Sequence, residues 1–321
     1  MIGFVLAALL STTSPQDAAA AQAEAVPEQP VRLEDIEVTG RSLKSTVDKF
    51  VATVAAPNSN RSLARWRDQI CISATDFGPE EAQHLVDRIS GIAGELGLRT
   101  GSPRCSPNVL IVAAHDPDSF ARDMVQRHER AMRFGGLGMD RGRAAFTEFQ
   151  TSNSPVRWWQ VSMPVNAETG ERATRIPGEC KGSCGAAAAS GDSIYAFAPT
   201  TRVFAPSRLS TQIVDDIFRV IIIVDTNQIA GVQPHQLADY IAMVAFAQID
   251  PTADTSRYAS ILNVFADPDS VDGMTDWDKA YLNGLYAANR TRLNLGASRT
   301  EIASSIMRAH ENLRAEYEDQ D

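Results

Sequence analysis

Apolar residues recur at helical spacing from Leu43 to Val54, with Leu43, Val47, Phe50, Val51 and Val54 on one side, which predicts an amphipathic helix. Trp66 and Ile70 carry the apolar pattern into a strand over 69–74. The string Phe77-Gly78-Pro79-Glu80-Glu81 then opens a second helix. Proline suits the first turn, and the acids stand at the positive end of the helix dipole. Its apolar face is Ala82, Leu85, Ile89, Ile92, Ala93 and Leu96, and Gly97 and Gly101 end it. From Asn108 to Ala114 the chain is continuously apolar, as in a central strand covered on both faces. Asp116-Pro117 caps the next helix, which carries Phe120, Met124, His128 and Met132. Strand–helix–strand–helix is the signature of an α/β fold.

The middle of the chain is irregular. Phe134-Gly135-Gly136-Leu137-Gly138 is glycine-rich but follows a helix, whereas a phosphate-cradling loop follows a strand. Strands are predicted over 157–163, around Ser193–Phe197 and over Thr201–Phe204, and the strongest of all runs from Phe218 to Asp225. A helix starting at Pro234 and ending near Ile249-Asp250-Pro251 comes next. Capping boxes at Thr275-Asp276-Trp277-Asp278 and Ser298-Arg299-Thr300-Glu301 start the last two helices, the first with Leu282, Leu285 and Tyr286 on its face. The expected class is α/β, with α+β as the alternative: a mixed sheet with flanking helices, in which an edge strand is followed by the Pro234 helix. The chain divides into a signal segment (1–25), a linker (26–42), an N-terminal α/β part (43–136) and a C-terminal part (137–321), or holds one continuous domain over 43–315.

Composition narrows the function. Hydrophobic residues make up 44% of 321 residues, enough for a proper core, and the formal net charge is -10. A polyanion is repelled overall, and no basic run with interleaved aromatics is present, so nucleic acid is not an expected partner. Ile2 to Leu10 is apolar and Ala18 to Ala25 is rich in small residues, which reads as a signal peptide, although no Lys or Arg precedes the apolar run. The run is too short to span a bilayer, and no later segment reaches spanning length without charges. The expected location is therefore the periplasm or the exterior. Four cysteines agree with export. The natural pairing is Cys71–Cys105 and Cys180–Cys184, the first bridge contributing roughly 3–4 kcal/mol by chain entropy. The alternative for Cys180 and Cys184, half of a zinc site, lacks a second cysteine pair and a nearby histidine.

Candidate chemistry centres on Pro234-His235-Gln236-Leu237-Ala238-Asp239. Positions i and i+4 share a helix face, so His235 and Asp239 could address one ion. A zinc protease helix reads His-Glu-x-x-His, and here the base position is Gln236, an amide that takes no proton near neutral pH. Catalysis would also need a third ligand and an open coordination position. The only later histidine is His310, on the last helix. The ordinary reading makes His235 a first-turn surface residue and Asp239 an exposed partner for a Lys or Arg. His84 and His128 are expected at solvent edges of helices, and His115 stands at a strand end, where functional residues gather. No Gly-x-Ser-x-Gly elbow is present.

The run Leu237–Gln248, with Ser260-Ile261-Leu262-Asn263-Val264-Phe265 and Met274–Tyr286, resembles uncharacterised exported proteins of alphaproteobacteria. More remotely it is similar to secreted bacterial families of unknown function with a zincin-like strand–helix core. The resemblance covers roughly residues 215–290 and implies a metalloprotease-like scaffold. Because the Glu and the second His of that scaffold are missing, it does not imply protease activity. Separately, Ile36-Glu37-Val38-Thr39-Gly40 resembles a short segment near the mature N-terminus of TonB-dependent outer-membrane receptors; the alternative is one exposed strand ending at a turn glycine. Three functions follow as expectations: a non-catalytic pseudo-enzyme or binding module without a cofactor, a metallohydrolase using zinc on His235 and Asp239, and an accessory partner of outer-membrane transport.

Overall fold

The computed structural model describes residues 43–59, 61–102, 104–133, 139–173, 209–292 and 295–318. The expected strands at 193–197 and 201–204, the Cys180–Cys184 pair, the signal segment and the Ile36–Gly40 string lie outside the described residues.

Helix α1 (Leu43–Val54) is followed by the short strand β1 (Gln69–Ile70), β2 (Ile72–Thr75), helix α2 (Pro79–Glu95), β3 (Arg99–Thr100), β4 (Val109–Ala114) and helix α3 (Pro117–Met132). Helix α4 (Arg143–Thr151), β5 (Val156–Asn166), β6 (Ile213–Asp225), and helices α5 (Pro234–Phe246), α6 (Asp276–Ala287) and α7 (Leu295–Glu318) complete the chain. The main sheet has the order β2-β4-β6-β5, with β2, β4 and β6 parallel and β5 antiparallel at the edge. Its strands come from both sides of residue 136. This is the mixed α/β architecture that the alternation of elements predicts.

One feature of the expectation is corrected. The strand that precedes the Pro234 helix is interior, held between β4 and β5, and not an edge strand. The reason is its two-sided apolar pattern. Val220, Ile222 and Val224 face the large core with Leu85, Ile89 and Ile241, while Ile221 and Ile223 face Ala121, Phe146 and Phe149 on the opposite side. A strand apolar on both faces needs cover on both. Helices α2 and α5 cover the first face, and α3 and α4 cover the second.

Local differences have equally local causes. Helix α4 arises where the sequence looked irregular, and it buries only Phe146 and Phe149. Helix α7 begins at Leu295, so Ser298 lies inside its first turn and does not cap it. Helix α5 stops at Phe246, earlier than the Asp250-Pro251 boundary. From Gln236 to Phe246 every residue of α5 is buried, as expected of a helix that is apolar on all sides. It packs against the sheet, α2 and α6, and α6 packs in turn on α7. At that crossing a Cβ on Gly284 would stand 2.5 Å from Ile306 Cα, so only glycine permits the approach.

Cys71 and Cys105 are bridged with a Cα–Cα separation of 5.9 Å and a sequence separation of 34, the expected pairing. The bridge lies beside the junction of β1 and β2, where the Cys71 amide also donates to Asn108 Oδ1 at 2.7 Å.

Candidate functional site

Residues His235, Gln236 and Asp239 sit on the first turns of α5, directly after the carboxyl end of β6. Gln233 and Gln236 close the helix start: the Gln233 amide donates to Gln236 Oε1 at 2.8 Å. Gln-x-x-Gln is a capping-box spacing. The other end of the Gln236 side chain donates to the Pro268 carbonyl at 2.8 Å and the Val271 carbonyl at 2.6 Å. Its acceptor and both of its donor hydrogens are therefore engaged.

Asp239 was expected at the surface. It is instead fully buried, at 0% exposure, because an arginine from another helix and a loop amide both reach it. Arg88 of α2 grips the carboxylate with two nitrogens, Nε to Oδ1 at 2.5 Å and Nη2 to Oδ2 at 2.7 Å. The Met274 amide donates to Oδ2 at 2.7 Å. Parallel bonds from a guanidinium fork to a carboxylate are the stronger kind of charge-assisted contact. The Asp239 hydrogen bond, chiefly, raises the Arg88 pKa, against a smaller opposing effect of burial. Gly273 completes the approach, since a Cβ there would meet Asp239 Oδ2 at 2.7 Å.

His235 reaches the same loop. Its Nε2 lies 2.8 Å from the Asp272 carbonyl. A carbonyl oxygen only accepts, so Nε2 carries the hydrogen and has no lone pair for a metal. The Asp272 carboxylate stands 3.6 Å from the same nitrogen. The structure thus brings His235, Gln236 and Asp239 together on one feature, the loop 267–274, which they fasten to the start of α5. Among the described residues no group of three or more His, Cys, Asp or Glu side chains is placed to hold a metal ion. Gln236 stands where a base would, and its amide offers no proton acceptor strong enough for water. As expected, His84 and His128 are exposed, and α3 is kinked at His128 (φ −131°, ψ 22°). His310 is buried in α7 at 5% exposure.

A second polar group lies at the carboxyl ends of the parallel strands. The turn after β4 supplies His115, and the turn after β6 supplies Asp225, Thr226, Asn227 and Gln228. Thr226 Oγ1 and His115 Nδ1 are 2.7 Å apart. Asn227 Nδ2 donates to the His115 carbonyl at 2.8 Å and to Asp225 Oδ1 at 2.9 Å, and Gln228 donates to Asp225 Oδ2 at 2.7 Å. Burial pushes the Asp225 carboxyl up, but hydrogen bonds from Gln228 and Asn227, with the Arg157 charge, outweigh it and hold the group below the usual carboxylate range. Crevices at the carboxyl ends of parallel strands are where open α/β sheets take ligands. His115 was legible as a strand-end residue. The polar string 225–228 after the most apolar strand was the signal for the rest. In geometry the group ties two neighbouring strand ends together.

Compared with protein-family models, curated proteins and solved structures, the chain matches none.

Proposed function

We propose that this chain is an exported, non-catalytic module whose α5 region is a degenerate hydrolase-like constellation put to structural use. The observation that carries the reading is the occupancy of Asp239: both carboxylate oxygens are taken by Arg88 and the Met274 amide in a site without solvent access. A carboxylate at 0% exposure that is already paired with a guanidinium has no solvent path for an ion and no uncompensated charge to attract one, and the adjoining amide cannot deprotonate water. The Cys71–Cys105 bridge supports an oxidising compartment. Among the described residues no helix is long and apolar enough to cross a membrane.

The test is elemental analysis of protein purified without chelators, paired with a peptide-hydrolysis assay on the protein and its His235→Ala variant. The reading expects substoichiometric zinc and no turnover that depends on His235. One zinc per chain with cleavage abolished by His235→Ala overturns it.

A further inference from the structure

We draw no further inference here: the strongest candidate, the groove along the outer edge of β5 that is lined by Val156, Trp158 and Gln160 between α4 and Pro251, is a sheet edge, and nothing in the structure shows what covers it.

Discussion

Replacing Arg88 with methionine tests the argument about α5 most directly. Asp239 is at 0% exposure, and the Arg88 side chain is its counter-charge. Removing one partner of a buried ion pair leaves the other charge uncompensated, which costs about 3–5 kcal/mol in fully buried cases. Here the Arg88 side chain is 41% exposed, so water screens part of the interaction. The expected loss for Arg88→Met is therefore about 2–3 kcal/mol, with methionine retaining most of the packing of the arginine stem. Asp239→Asn removes the charge but keeps an acceptor for the Met274 amide. The double variant Arg88→Met/Asp239→Asn should then be more stable than the sum of the two single losses, by about 1–2 kcal/mol of coupling. Urea unfolding followed by tryptophan fluorescence at neutral pH measures all four proteins, with unchanged denaturant slopes showing that only stability has moved. A loss below about 0.5 kcal/mol for Arg88→Met, or strictly additive single losses, would refute the claim that the pair is a buried clamp.

Three other outcomes follow from the same structure. Gly284→Ala should destabilise the protein by about 1–3 kcal/mol through the clash with Ile306 at the α6–α7 crossing; an unchanged urea midpoint would show that the helices can separate freely. Cys71→Ser/Cys105→Ser, or reduction of the native protein, should cost roughly 3–4 kcal/mol on the chain-entropy estimate for a 34-residue separation. Asp225 has a carboxyl held below its reference value of 3.8, so its ionised form stabilises the fold above that pH, and the contribution disappears as pH falls through the lower folded-state value. Urea midpoints of Asp225→Asn measured from pH 5 to pH 2.5 should show a shallower acid loss than the parent, and parallel curves would contradict the assignment.

Much of this architecture is local information. The face of α1, the proline start of α2, the Asp116 cap and the Thr275 capping box are set by residues within four positions of each other, and each forms where the sequence places it. The same signal misleads when read without its surroundings. Ser298-x-x-Glu301 has the spacing of a helix start, yet α7 runs through it from Leu295. In β6 the run of isoleucines and valines marked a strong strand, but it was expected at an edge, and its neighbours β4 and β5 occupy both of its edges.

Residue spacing alone determined that His235 and Asp239 lie one helical turn apart, and that an amide stands where a proton acceptor would be needed. The even cysteine count made Cys71–Cys105 an expected pair, and the fold brought their Cα atoms to 5.9 Å. What those side chains do was decided by contacts distant in sequence. Arg88 comes to Asp239 across 151 positions and the Met274 amide across 35. Arg290 is likewise drawn to Asp216 from 74 positions away. Nothing in the neighbourhood of Asp239 encodes those partners. A carboxylate on a helix reads as a surface residue until packing of the sheet and helices removes its water and supplies a guanidinium in exchange.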